Sequence, residues 1–106
     1  MYKFLFFILI ALNADASLYK GQKEYVKKCV ICHKGGQTFI TSKTQDEWLS
    51  VFVNNGSKLA KLHILRKDTK KSHEYFKSNR YKKVSRHLKQ FLVEYAKDSG
   101  KIPACN

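Results

Sequence analysis

The chain has 106 residues, of which 43% are hydrophobic and 27% are charged, so it has room for one small globular domain and no second fold. Lysine and arginine number 21 against 8 acidic residues, and this net charge of +13 excludes an acidic disordered tail, while a single apolar run excludes a multispanning membrane protein. A domain of this size is only marginally stable on its own core, so a cofactor, a metal or a disulfide is expected to help stabilise it.

The N-terminus has the three parts of a secretory signal peptide. Lys3 supplies a positive charge, residues 4–12 are apolar, and residues 14–16 are Ala-Asp-Ala, a small-X-small site of the kind that signal peptidase cleaves. This apolar run is much shorter than the roughly 20 residues of a membrane-spanning helix, so a permanent anchor is the weaker interpretation. We therefore predict a signal peptide at 1–16, a mature domain at 17–106, and export to the periplasm, where unpaired thiols are unusual.

Cys29, Cys32 and His33 form the pattern Cys-X-X-Cys-His. In an exported protein the two thiols can add to the vinyl groups of one haem, and the histidine then becomes the proximal ligand of the iron. The competing interpretations are a redox dithiol, half of a zinc site and a structural disulfide. No strand-rich segment precedes Cys29, as a redox dithiol would require, and a zinc site would need a second ligand pair. The motif therefore predicts covalently attached haem c.

With this motif near its start, the chain resembles the small periplasmic monohaem c-type cytochromes of class I. That family begins with a helix carrying a glycine and, four residues later, an aromatic residue, and this chain has Gly21 and Tyr25 ahead of Cys29. The resemblance covers nearly all of residues 17–106 and is strong only at the two ends. It implies an all-α, cytochrome c-like domain packed around one haem.

A middle helix is predicted from a capping box, in which Thr44 is the N-cap and Glu47 is its partner. The helix carries Trp48, which we expect in the core, and should end at the Asn-Asn-Gly break of residues 54–56. The only strand signal is a weak one at residues 38–41, where the related cytochromes have a loop.

The sixth iron ligand differs from that of the family. It is usually a methionine after the middle helix, but the only methionine here is Met1, inside the predicted signal peptide. Imidazole also binds haem iron well, and His63 follows the Asn-Gly turn close to where short cytochromes place the methionine. In a helical turn His63 would share a face with Leu59 and Leu62, which would aim its ring inward. We therefore predict His63 as the distal ligand.

Two other histidines are weaker candidates for the distal position. His87 flanks the apolar stripe of the last helix and is the second choice, whereas His73 lies in a very basic segment and is expected to face water. An unusual ligand or an open site is the remaining alternative.

The family's proline after the haem motif is also missing, so we expect a backbone carbonyl within residues 34–40 to orient His33.

The last helix is predicted from apolar residues that share one helical face and precede Gly100, the expected stop. In the family this helix packs across the first one, and Gly21 would let its aromatic residues approach closely. The residues of the stripe are Val84, Leu88, Phe91, Leu92 and Tyr95.

Cys105 is the odd cysteine once Cys29 and Cys32 are assigned to haem. It could form a disulfide-linked dimer, act as a free redox thiol, offer a thiolate to the iron, or have no role.

The positively charged residues are spread along the whole chain, and they indicate which kinds of partner the protein could bind. A periplasmic location excludes nucleic acid, and no basic groove interleaved with aromatic residues is evident. We expect the lysines to steer the encounter with acidic redox partner proteins, and they could equally hold the protein near anionic phospholipid headgroups.

Together these features predict an electron carrier that is not an enzyme. The alternative is a haem-based protein that binds or senses a gas at an open or labile sixth site. A peroxidase is a weaker option, because one haem in a domain this small leaves little space for a substrate.

Overall fold

The computed structural model describes residues 16–102, of which 70% are helical and none forms a strand. Residues 16–28 belong to the first helix, α1, and a 3₁₀ turn at Lys70–Ser72 precedes α5. The other helices are α2 (Gly36–Ile40), α3 (Gln45–Val51), α4 (Val53–Ile64), α5 (His73–Lys77) and α6 (Asn79–Glu94). The prediction of an all-α domain is confirmed. None of the helices in residues 16–102 is both long enough and apolar enough to cross a membrane.

Several predictions made from the sequence concern residues outside this range. They concern the proposed signal peptide, which includes Met1 and of which only Ala16 lies within the range, and Cys105 near the C-terminus.

Helices α1 and α6 approach each other closely at Gly21. A Cβ atom at Gly21 would lie 2.7 Å from Cβ of Phe91 and closer still to the carbonyl oxygen of His87. No side chain larger than hydrogen fits between the two backbones without a shift. The close approach of the first and last helices that Gly21 predicts is therefore confirmed.

Tyr25 extends this contact toward the rest of the chain. Its side chain is fully buried, with its ring centre 5.8 Å from that of Phe91. Its hydroxyl donates a hydrogen bond to the carbonyl oxygen of Gly36, at 3.0 Å, where α2 begins. One buried tyrosine thus connects α1, α2 and α6.

The predicted apolar stripe of α6 faces the core, with Leu88, Phe91 and Leu92 buried and Val84 and Tyr95 partly buried against them. The helix ends at Glu94, with Tyr95 as its C-cap, and does not extend to Gly100.

Tertiary hydrogen bonds end α6 before Gly100, because the following residues turn back toward the start of α3. The amide of Lys97 donates to the carbonyl of Lys43 at 2.9 Å, and the Asp98 carboxylate accepts from the amide of Gln45 at 2.8 Å. Gly100 itself has a φ of 74° in an exposed position.

The middle of the chain follows its local sequence signals. The capping box of α3 is present, with the amide of Glu47 donating to the Thr44 hydroxyl and the amide of Thr44 donating to the Glu47 carboxylate. Asn54, Asn55 and Gly56 have φ values of 54°, 59° and 81°, so the break after α3 is a run of left-handed residues. The helical part of α4 follows this run.

Residues 36–40 form a short helix, where the sequence indicated a loop with a weak strand signal. The hydroxyl of Tyr25 holds its first residue, and the indole of Trp48 donates to the carbonyl of Ile40 at 2.9 Å. Ile40 is fully buried. Contacts with distant residues therefore override the β-branched composition of this segment.

Gly21→Ala should test the contact between α1 and α6. We expect the added methyl group to lower the free energy of unfolding by about 1–3 kcal/mol, because it forces two backbones apart. Urea denaturation would measure this loss. Lys20→Ala, an exposed change on the same helix, is the matched control and should change stability by less than about 0.5 kcal/mol. Equal stability of the two variants would contradict the close contact.

Candidate functional site

A cavity of about 510 Å³ lies between the end of α1 and helices α2 to α5. Its volume falls in the range of about 300–1,000 Å³ that is common for cofactor and ligand sites. Apolar and aromatic side chains form most of its wall, namely Tyr25, Phe39, Trp48, Val51, Leu59, Leu62, Phe76 and Leu92. Cys29, Cys32, His33 and His63 also line it.

The Cys-X-X-Cys-His motif forms one end of this cavity. The amide of Cys29 donates to the carbonyl of Tyr25, and the amide of His33 donates to the carbonyl of Cys29, each at 2.8 Å. The backbone therefore keeps a helical course from α1 into the motif, so that both thiols and the imidazole reach the same cavity. Both cysteines are free thiols, with Cys32 exposed and Cys29 half-buried.

The His33 ring is held by stacking on Phe39. The two ring centres are 3.8 Å apart and the planes are within 13° of parallel. Within residues 16–102 the His33 ring makes no hydrogen bond, so the carbonyl expected from residues 34–40 is replaced by an aromatic ring from that segment. Burial lowers the pKa of His33, and nearby His63 lowers it further. Both effects favour the neutral imidazole, which is the form that binds metals.

His63 lies across the cavity from His33. The imidazole centres are 6.1 Å apart and their planes are nearly perpendicular, at 86°. Nδ1 of His63 is 2.8 Å from the carbonyl oxygen of Leu59. Because a carbonyl can only accept, Nδ1 carries a proton, and in the neutral tautomer with this hydrogen bond the lone pair is on Nε2. The ring also stacks on Phe76, with centres 4.2 Å apart. His63 is thus oriented on two sides, as metal-binding histidines usually are.

The other two candidate histidines lie elsewhere. Nδ1 of His87 is 2.6 Å from the hydroxyl of Ser17, in a groove between α1 and α6. Nε2 of His73 is 2.8 Å from the carbonyl oxygen of Arg66, near the surface. Neither residue lines the cavity, so His63 is the candidate that the fold brings opposite His33.

Three aromatic residues complete the site. Trp48 is 1% exposed, and its ring meets that of Phe39 edge-on at 5.6 Å, so it belongs both to the core and to the cavity wall. Phe39 and Phe76, which support the two imidazoles, are not identifiable from the sequence as site residues. Phe39 is close to the motif in the chain, but Phe76 meets His63 only through the packing of α5 on α4.

The thiol of Cys29 is a poor nucleophile in this position. Burial raises the pKa of the Cys29 thiol to about 12, and the Glu24 carboxylate and Cys32 act in the same direction. Redox dithiols and zinc-binding cysteines instead rely on a stabilised thiolate. The raised pKa of the Cys29 thiol therefore counts against a redox dithiol and against a zinc thiolate.

Glu24 is a buried carboxylate one helical turn before Cys29, with an exposed fraction of only 2%. It accepts hydrogen bonds from the Tyr75 hydroxyl at 2.6 Å and from the Arg80 guanidinium at 2.7 Å. Burial by itself raises the pKa of Glu24, but these two hydrogen bonds and the charges of Arg80 and Lys28 outweigh it and leave the pKa below its ordinary value. The carboxylate thus ties α1 to α5 and α6.

In the part of the chain that the structure describes, no three His, Cys, Asp or Glu side chains cluster to hold a metal ion by themselves. A porphyrin supplies four ligands of its own, so haem iron needs at most two from the protein. Comparison of the chain with protein-family models, curated proteins and solved structures found no match.

Glu24→Gln should reveal the stabilising role of this carboxylate through its pH dependence. The pKa of Glu24 in the folded chain lies below its ordinary value of 4.5, so its contribution is present above that pH and disappears as the pH falls through the folded value. At pH 7 the variant should be less stable by about 1–2 kcal/mol, a modest loss because Arg80 is largely exposed.

Thermal unfolding at several pH values would measure this difference, which should narrow as the pH falls below about 4.5, because the unfolded chain then binds a proton that the folded wild type does not, and should vanish below the folded pKa of Glu24. Glu74→Gln on the exposed face of α5 is the control and should match the wild type throughout. A constant difference between Glu24→Gln and the wild type down to pH 3 would contradict the pKa assignment.

Proposed function

We propose that the protein is an electron carrier that holds one haem c covalently through Cys29 and Cys32, with His33 and His63 as the two axial ligands. One observation carries the proposal: both thiols and His33 line one mostly apolar cavity, and His63 faces His33 across it at 6.1 Å. When bound, the haem supplies a one-electron couple between ferrous and ferric iron.

The separation of the two imidazoles supports a shared metal. With their ring centres 6.1 Å apart, the imidazoles of His33 and His63 are close enough that both could hold one metal ion between them. The hydrogen bond from Nδ1 of His63 to Leu59 leaves Nε2 available as the donor atom. The lowered pKa of His33 keeps its imidazole neutral and able to coordinate.

The residues around the ligands would set the electronic properties of the site. Two imidazoles hold a haem at a lower reduction potential than a histidine and methionine pair does. Phe39 and Phe76 stack on the imidazoles and Trp48 closes the wall behind Phe39, so both rings are held in fixed orientations. Rigid ligands suit electron transfer, because little has to move when the charge on the iron changes.

Basic side chains line the same cavity and support a role in partner recognition. Lys28, Lys43 and Arg66 contribute to its wall. A positive rim would steer acidic redox proteins toward the site, with an association rate that falls as salt increases. The interface would be small and short-lived, as turnover requires. We place this exchange in the periplasm, on the strength of the predicted signal peptide.

Outer-sphere electron transfer, and not an enzymatic reaction, follows from the proposed ligand set. If His33 and His63 both held the iron, they would leave no site on it for a substrate. The gas-binding alternative requires that His63 be absent from the iron or leave it readily.

Changing Cys29 and Cys32 together to serine should abolish covalent haem, because serine cannot form the thioether bonds. Haem staining after denaturing electrophoresis of the exported protein would measure this. Cys105→Ser is the control and should retain the stain, while its mobility without reductant, compared with that of the wild type, reports whether Cys105 forms a disulfide-linked dimer. A double variant that still carries covalent haem would overturn the proposal.

His63→Ala should convert a low-spin iron into a high-spin iron that binds carbon monoxide when reduced, because the sixth position becomes open. The visible spectrum with and without the gas is the readout, and added imidazole should restore the low-spin form. His87→Ala and His73→Ala are matched controls and should leave the spectrum unchanged. A wild-type protein that is already high-spin and binds carbon monoxide would instead favour the gas-binding alternative.

A further inference from the structure

We propose that the groove between α1 and α6 is a docking site for a membrane surface rich in anionic phospholipid headgroups. This inference goes beyond the electron carrier, because it uses a different face of the molecule and does not depend on haem.

The groove has a volume of about 740 Å³, and most of the residues that line it are lysine or arginine. The three lysines of α1 are spaced by three and four residues, which places them on one helical face. Three cations of α6 follow each other at intervals of three residues along the opposite side. These six residues are Lys20, Lys23 and Lys27 of α1, and Arg80, Lys83 and Arg86 of α6.

Most of this charge is uncompensated within the described residues. Glu24 is the one acidic residue that lines the groove, and it is buried and paired with Arg80. None of the other basic residues lining the groove forms an ion pair with a residue in the range 16–102. Burial lowers the pKa of His87, and the charges of Arg86 and Lys20 lower it further, so charges from both helices act on one point of the groove. An anionic surface would relieve their mutual repulsion.

The side chains of the groove fit lipid headgroups better than an acidic protein or a nucleic acid. Protein interfaces are rich in aromatic residues at their centre and poor in lysine, whereas this groove has Val84 as its apolar residue and several lysines. Single-stranded nucleic acid needs aromatic platforms on which its bases can stack. Lysine is a flexible point charge, which suits a surface of mobile phosphates.

Tyr19 gives a second indication of a lipid surface. Its side chain is 59% exposed on α1, and the ammonium group of Lys23 lies 5.4 Å from its ring centre. Tyrosine is enriched at the boundary between membrane and water, where its ring meets acyl chains and its hydroxyl meets headgroups. An exposed tyrosine beside a row of lysines therefore matches an interfacial contact.

The position of the groove leaves the cavity accessible. At 3.6 residues per turn, Lys20, Lys23 and Lys27 lie on the side of α1 opposite to Tyr25, which faces the cavity. A protein docked through the groove would therefore keep the rim of the cavity turned away from the lipid.

Binding of the exported protein to phospholipid vesicles tests this assignment. The probes are vesicles of phosphatidylcholine alone and of phosphatidylcholine with phosphatidylglycerol at roughly seven to three, sedimented at low salt. The wild type should bind only the anionic vesicles. Each basic residue near such a surface contributes about fivefold in affinity, so Lys23→Gln, Lys27→Gln and Lys83→Gln combined should weaken binding on the order of a hundredfold.

A second triple variant distinguishes binding through the groove from binding that depends only on the net charge of the protein. Lys58→Gln, Lys61→Gln and Lys71→Gln remove the same number of charges from exposed positions outside the groove and should cost less than about tenfold in affinity. The single variant Lys23→Gln should lose about fivefold, and it repeats the test with the least disturbance to folding.

Four results would overturn the proposal. The first is an equal loss in both triple variants, which would make binding a property of net charge alone. The second is the absence of binding to anionic vesicles. The third is displacement from the vesicles by inorganic phosphate at constant ionic strength, which would indicate a discrete phosphate site. The fourth is that the triple variant of the groove binds vesicles as the wild type does but no longer binds polyglutamate, which would indicate an acidic protein as the partner of the groove.

Discussion

The arrangement of the molecule depends on the direct backbone contact between α1 and α6 at Gly21. Because no Cβ atom separates the helices there, Tyr25 can reach Phe91 with its ring and Gly36 with its hydroxyl. That hydrogen bond sets the start of α2, and α2 carries Phe39 to the His33 ring. The missing side chain at one position therefore fixes the direction in which the Cys-X-X-Cys-His turn leaves α1, and with it one wall of the cavity.

The opposite wall depends on the same α6 through another glycine. Tyr81 of α6 donates a hydrogen bond to the carbonyl of Gly56 at 2.7 Å, and Ser85 donates to that of Asn55 at 3.2 Å. These contacts hold the left-handed run from which α4 begins, two turns before His63. Left-handed backbone is costly for most residues, and asparagine and glycine bear that cost best. Helix α6 positions both the segment that leads to His33 and the segment that leads to His63. The two histidines face each other for this reason.

The features that the sequence predicts well are those determined by residues close to one another in the chain. The capping box at Thr44, the Asn-Asn-Gly break and the stripe of α6 are all present, because each depends on residues a few positions apart. The helix at 36–40 and the early end of α6 were not predictable, since they depend on hydrogen bonds that Trp48 and Lys97 donate, and that Asp98 accepts, between different segments of the chain. At the site, the motif residues and His63 can be chosen from the sequence. The stacking of Phe76 on His63 cannot, because it needs the packing of two helices.

Glu24 lies between the two faces of α1 that carry the cavity and the basic groove. Its carboxylate is paired with Arg80 in the groove, and its charge acts on Cys29 at the cavity. An anion that drew the Arg80 guanidinium outward would leave that negative charge less compensated behind the motif. The two faces would then be thermodynamically coupled, so that whatever occupies the groove shifts the electrostatic potential inside the cavity and the reverse holds equally.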